Sequence, residues 1–341
     1  MNTKYYDVIV AGAGPAGICA AVAAARQGAR VALIERYGVI GGNLTAGYVG
    51  PILGSVSKNT MRDEVCAILG VKDNDWIGEH GNAHDFEEAK LTLAEFVARE
   101  KNVDVFLQCC VSDVIRDGKV VKGIKCASNE GTLCFEAAVT IDCTGDAIVS
   151  FLAGAKIEKG RADGLMQPVT LEYTIDGVDE SKGIICIGDV DNVQLNGECF
   201  LDWCKKKADE GKLPRMLAAV RLHPSVRPGC RQVNTTQVNR VDITSVSSIF
   251  TADLELRQQP PIENNTPDET AAPVSTYRGS HEASSPEEAR NLGDTPFRSS
   301  RAAAPEQKPA APAVPKTRED KIANASVDEL LAMIEDEKKK L

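Results

Sequence analysis

No C-x-x-C pair occurs among the eleven cysteines of this 341-residue chain. Iron–sulfur and zinc sites are ordinarily built on at least one closely spaced pair, so cluster and zinc chemistry drop out of the reading and no metal is expected. Basic charge is in short supply as well: 39 Lys and Arg face 49 Asp and Glu, a net charge of −10. Nucleic acid and anionic membranes are therefore not expected as partners. Histidine is scarce, with His80, His84, His223 and His281 alone, and the spacing sets no carboxylate or second histidine beside any of them. Each is read as a loop or surface residue, and no catalytic acid or base is assigned. No internal repeat is present, and only one charge-free stretch approaches transmembrane length.

That stretch opens "VIVAGAGPAGICAAVAAARQGARVALIER", Val8 to Arg36. It admits three readings: a secretory signal ending at Ala23-Ala24-Ala25, a membrane span, or a nucleotide cradle. Its punctuation favours the cradle. Gly12, Gly14 and Gly17 form G-x-G-x-x-G directly after Asp7-Val8-Ile9-Val10, a short apolar run of the kind a buried parallel strand gives. Pro15 and Ala16 open the following helix, where a missing N–H is tolerated, and Gly28 ends it. A second β-branched strand then closes on Glu35, 18 positions beyond Gly17. This is the spacing of a dinucleotide site. Gly12 permits the tight turn, Gly14 lets the backbone approach a pyrophosphate, and Gly17 lets helix and strand pack closely. The helix N-terminus faces the phosphates with free N–H groups, and Glu35 accepts from the adenosine ribose hydroxyls, with Arg36 counted in the same site.

The G-x-G-x-x-G alone does not separate NAD from FAD. Directly after the acid comes Tyr37-Gly38-Val39-Ile40-Gly41-Gly42-Asn43-Leu44-Thr45-Ala46-Gly47, and far downstream Thr140-Ile141-Asp142-Cys143-Thr144-Gly145-Asp146-Ala147. With these segments, and with "DGLMQPVTLEYTIDGVD" and "RQVNTTQVNRVD", the chain resembles FAD-dependent oxidoreductases of the glutathione-reductase-like superfamily. The narrower resemblance is to the bacterial group related to the flavoprotein subunit of heterodisulfide reductase. It runs from about Tyr6 to Arg257 and implies FAD as cofactor. In such proteins the Gly-Gly pair lies along the flavin, the segment Thr144-Gly145-Asp146 returns to the dinucleotide, and the residue at Val111 meets the adenine through its backbone. The residues agree on their own terms: Gly41-Gly42 lets a flat ring approach main-chain N–H groups, and Asn43 and Thr45 are placed to bond its polar edge. The disulfide-reducing members carry a C-x4-C pair near the first Gly-rich unit; here there is none, which argues against thiol–disulfide chemistry.

The cysteines are read as reduced structural thiols. Cys19 lies on the first helix, Cys143 on the strand before Thr144, and Cys109-Cys110 ends a strand whose neighbouring residues point to opposite faces, one to the core and one to the periphery. Residues 103–107 and 120–125 read as strands, with Asp117-Gly118 turning a hairpin, and 86–99 reads as an amphipathic helix.

The expected fold is α/β: a Rossmann-type FAD domain over residues 1–160 and an incomplete β-rich substrate or cap domain over 161–259. Residues 260–316 hold ten of the sixteen prolines and almost no large apolar residues, so they read as a disordered linker. Residues 317–341 read as an amphipathic helix, with Ser326-Val327-Asp328-Glu329 as a capping box and Ile322, Leu330, Leu331 and Ile334 as an apolar stripe. The resemblance implies a further cofactor-closing segment beyond Arg257 that this stretch replaces, so flavin is expected to be held loosely. The function expected is hydride transfer between a small-molecule donor and flavin N5 in the cytoplasm. The alternative is a remodelled FAD-binding module that serves as a partner or scaffold, associating with another protein or its own copy through the C-terminal helix.

Overall fold

The structure is a computed structural model that describes residues 2–52, 59–71, 83–162, 164, 166–181, 183–186, 193–213 and 220–259. The expected linker and C-terminal helix, and also His80 and His281, lie outside the described residues.

The apolar run before the glycines forms β1 (Asn2–Ala11), followed by α1 (Pro15–Arg26) and β2 (Val31–Ile34). A 3-10 turn (Gly42–Leu44) and α2 (Met61–Ile68) lead to α3 (Phe86–Ala98) and β3 (Val103–Phe106). The hairpin β4 (Cys110–Asp117) and β5 (Val120–Ser128) turns through Gly118-Lys119, one residue beyond the expected Asp117-Gly118, because Asp117 still pairs with Val120; β6 (Gly131–Asp142) and α4 (Ile148–Leu152) follow. These six strands make one sheet ordered β3-β2-β1-β6-β5-β4, parallel from β3 to β6 and antiparallel from β6 to β4.

The sheet is covered on both faces, which explains why β1 and β2 read as continuous apolar runs. Val10, Val31 and Leu33 face α1 and α3, packing with Ile18, Val22, Leu93 and Phe96. Ile9, Ala32 and Ile34 face the other way, against Ile124, Phe135 and Val149. The small residues of α1 let it lie close to the sheet. A β-carbon on Gly17 would collide with the Gly12 carbonyl, the packing role expected of that glycine.

Among the described residues of 161–259, β7 (Glu172–Ile175), β8 (Gln194–Leu195), β9 (Glu198–Cys199), β10 (Arg221–Pro224) and β11 (Arg231–Asn234) accompany two helices. The helices are α5 (Phe200–Asp209) and α6 (Val246–Gln258). The strands form an antiparallel sheet ordered β10-β11-β7 and a short β8-β9 ribbon. No helix among the described residues is long and apolar enough to cross a membrane. Cys110 opens β4 and Cys109 directly precedes it, rather than ending β3, and they divide as expected, Cys109 buried and Cys110 exposed.

Candidate functional site

The carboxyl ends of β1, β2 and β6 open on one cavity of about 680 Å³. This is the place where an open α/β sheet binds ligands, outside the strand ends where the chain order reverses. From β1 it is lined by Gly12, Gly14, Pro15 and Ala16, from β2 by Glu35 and Arg36, and from β6 by Thr144, Gly145 and Asp146. Gly42, Asn43 and Val111 complete the expected residues that reach it. The structure thus brings together segments more than a hundred residues apart.

Each glycine has its own reason. Gly12 has φ +92°, and a β-carbon there would strike the Cys143 carbonyl. Gly14, by contrast, has an ordinary backbone at φ −71° and caps α1 with no side-chain hydrogen bond. A β-carbon on it would meet no protein atom within 4 Å, so its missing side chain leaves open space at a helix N-terminus of twelve residues. That is a cradle a pyrophosphate fits. Gly41 sits at φ +109°, its N–H bonded to Ala13 O at 2.8 Å, and a β-carbon on Gly42 would lie 2.9 Å from Gly14 Cα. The two glycine-rich segments are therefore packed against each other, with no room for side chains between.

Three expected residues do not line the cavity. Gly17 and Gly41 act behind its wall. Thr45 is fully buried, and its hydroxyl donates to Ile40 O at 2.7 Å. The hydroxyl is engaged inside its own turn, where it holds the Gly41-Gly42 bend, so it does not reach a flavin edge as expected. Asn43 does line the cavity, and Gly47 must lack a side chain because a β-carbon would come 2.7 Å from Asn43 Oδ1.

Glu35 is buried and already occupied. Its Oε2 accepts from Ala13 N at 2.7 Å and its Oε1 from Tyr37 N at 2.9 Å. A carboxylate offers about four lone-pair sites, so two remain for ribose hydroxyls while the other two tie the glycine loop to the end of β2. Arg36 and Asp146 form a 3.4 Å ion pair, both about half exposed, joining the end of β2 to the segment after β6. Such a pair is worth at most about 1 kcal/mol and yields readily to a ligand. Thr144 presents only its backbone: its hydroxyl donates to Asp142 Oδ1 at 2.7 Å and accepts from Ile148 N at 2.9 Å.

The sequence reading missed several lining residues, among them Tyr37, Gly47, Cys109, Cys110 and Cys143. The repetition of small residues after Asn43 was the available signal for Gly47. The thiols carried none, and burial pushes the Cys143 thiol above the ordinary cysteine range.

The histidine expectation needs correction at His223, which is on a strand, while His84 is in the loop before α3 as expected but is not at the surface. His84 is buried, with Nδ1 2.9 Å from Gly50 O and Nε2 2.7 Å from Leu44 O. Both partners only accept, so the ring closes both contacts as hydrogen bonds when both nitrogens carry protons. It clamps the two ends of the 44–50 segment that borders the cavity. His223 is also buried, on β10. Neither burial was legible, because each depends on elements remote in sequence.

Residues 7–266 match the family described as FAD dependent oxidoreductase. The chain belongs to that family. The cofactor is accordingly FAD, and the Gly14 cradle, the Glu35 carboxylate and the open cavity fit it. Among curated relatives, the soluble pyridine nucleotide transhydrogenase of Marinomonas sp. (strain MWYL1) is 36% identical over 91 residues, 27% of this chain and 18% of that protein. That of Mycobacterium tuberculosis (strain ATCC 25177 / H37Ra) is 32% identical over 100 residues, 29% of this chain and 19% of that protein. The chain spans about a fifth of the length of the curated relatives it matches. A similar solved structure is a geranylgeranyl bacteriochlorophyll reductase-like protein from Thermoplasma acidophilum, 16% identical at a TM-score of 0.43, covering 75% of this chain and 64% of that one.

Proposed function

We propose that this member of the FAD dependent oxidoreductase family passes a hydride between a small-molecule donor and flavin N5. The observation that carries the reading is the open space over Gly14 at the N-terminus of α1, inside a cavity bounded by the ends of three strands. FAD, when bound, supplies the redox chemistry, and the protein supplies orientation and electrostatics. The N–H groups at the start of α1 hold the pyrophosphate, and the free lone pairs of Glu35 take the ribose hydroxyls. The backbone at Val111 meets the adenine, and the turn at Gly42-Asn43 takes the flavin side. The motifs at 163–179 and 231–242 support the narrower placement beside the heterodisulfide reductase flavoprotein subunit. Thiols such as Cys19, Cys109 and Cys143, reduced in the structure, support a reducing compartment such as the cytoplasm.

Turnover of reduced nicotinamide with a dye acceptor tests the reading. Sustained, flavin-dependent turnover by the purified protein is expected. A flavin-loaded protein with no turnover for any donor in a metabolite screen would favour the scaffold alternative.

A further inference from the structure

Residues directly opposed on antiparallel strands point to the same side of a sheet. In the β10-β11-β7 sheet this places Arg221, Asn234 and Glu172 in one row and His223, Gln232 and Thr174 in the next. One face therefore carries a guanidinium, an imidazole, a carboxyl group, two amides and a hydroxyl, with no aliphatic side chain among them. The other face carries Leu222, Val233 and Tyr173 in its corresponding row.

The polar face is ordered by its own hydrogen bonds. Buried Gln232 accepts from Gly50 N at 2.9 Å through Oε1 and donates to Glu172 Oε2 through Nε2. Asn234 Nδ2 donates to Glu172 Oε1 at 3.2 Å, and its Oδ1 accepts from the Thr170 hydroxyl at 2.8 Å. Two anchored amides thus hold one carboxyl group. Burial pushes that carboxyl up to about 7, against the pull of the Gln232 amide, so near neutrality it can either donate or accept. At the other end of the row Arg221 is half-buried and makes no ion pair or side-chain hydrogen bond among the described residues. An unpaired, partly desolvated guanidinium is a carboxylate site in waiting. The face is also joined to the cavity: Asn43, Ala46 and Gly47 line it, and Gly50, three residues on, bonds Gln232.

We propose that this face receives the donor, and that the donor is a small organic acid with a hydroxyl or amino group remote from its carboxylate. The carboxylate docks on Arg221 and the hydroxyl or amine on Glu172. This rests on the oxidoreductase reading above. Arg221 and Glu172 stand on the two outer strands with Asn234 between them, so the ligand spans the middle strand and carries its two polar groups at opposite ends.

Isothermal titration of the full-length protein with 4-hydroxybutyrate, butyrate and 1,4-butanediol reads the two ends separately. The hydroxy acid should bind at least about tenfold tighter than either probe that lacks one group. Arg221→Gln should erase its advantage over butanediol, Arg221→Lys should keep part of it, and Glu172→Ala should erase the advantage over butyrate. Equal affinity of the unsubstituted protein for all three probes would overturn the inference without recourse to any variant. So would Arg221→Gln binding the hydroxy acid unchanged. Visible absorbance of the same samples keeps the two readings apart: a protein that holds no flavin yet discriminates the probes removes the cofactor reading alone. One that holds flavin and does not discriminate removes this inference alone.

Discussion

Gly14 and Glu35 share one cavity but fail in different ways when changed. Gly14 has a backbone any residue adopts and open space where a side chain would go. Gly14→Val should therefore empty the flavin site while leaving the melting temperature near that of the unsubstituted protein. Retained yellow colour at full stoichiometry would place the pyrophosphate elsewhere. Glu35 lines the cavity and also holds the scaffold, because its oxygens accept two backbone N–H groups. Glu35→Ala should weaken FAD by roughly ten- to a hundredfold and also lower stability, since each buried N–H left unpaired costs about 1–3 kcal/mol. Glu35→Gln should not rescue it, because the amide offers one oxygen where two are used. Apoprotein titrations paired with thermal melts separate the two effects. Glu172 adds a pH signature. Its carboxyl titrates near 7 when folded and near 4.5 otherwise, so its contribution is complete below about 4.5 and is lost as pH rises through about 7. The unsubstituted protein should lose melting temperature relative to Glu172→Gln between pH 5 and 8. A flat difference would contradict the burial of this carboxyl.

At the scale of the element, the wall after β6 is held by a residue that does not line the cavity. Asp142 accepts from Thr144 N and Oγ1 through one oxygen and from Ser150 N and Oγ through the other, at 2.7–3.2 Å. Burial alone would raise this carboxyl, but the donors from Ser150 and Thr144 outweigh it and hold it below the usual carboxylate range. Asp142→Ala should cost about 2–4 kcal/mol in urea unfolding, at about 1 kcal/mol per lost bond. It should also loosen flavin, because Thr144-Gly145-Asp146 loses its anchor. Unchanged flavin affinity would mean that the 143–148 segment keeps its shape without Asp142. The elements themselves were largely legible in the sequence: β1, α1 and β2 from their periodicity and glycines, and the β4-β5 hairpin from Asp117-Gly118. Helix α3 was legible from its apolar spacing, and Asp85 caps it by accepting from Glu87 N and Glu88 N. Helix α6 was not anticipated, since only Ala252 and Leu256 of its thirteen residues are buried while Val246 and Phe250 face outward.

At the scale of the whole molecule, every apolar core found among the described residues is built from positions up to Leu256. A chain ending after Gln259 should therefore keep the flavin-to-protein ratio and melting temperature of the full chain, and should lose whatever self-association residues 317–341 confer. Absorbance and sedimentation of the two proteins side by side decide it. A marked fall in FAD on truncation would show that the C-terminal residues help to close the site.

By itself the sequence determined the dinucleotide unit, because its requirements are local. A strand must stop, a glycine must turn, a second must leave space, a third must let a helix approach, and an acid must follow the next strand. All of that is written within about thirty consecutive positions. Which backbone groups Glu35 holds, why Thr45 points inward and why His84 is a clamp were decided only by the tertiary structure. The same is true of the polar sheet face. Gly50 and Gln232 stand 182 positions apart and still share a hydrogen bond. Hydrogen-bond partners are set by which backbone groups the packed elements leave unsatisfied, and no local pattern encodes that.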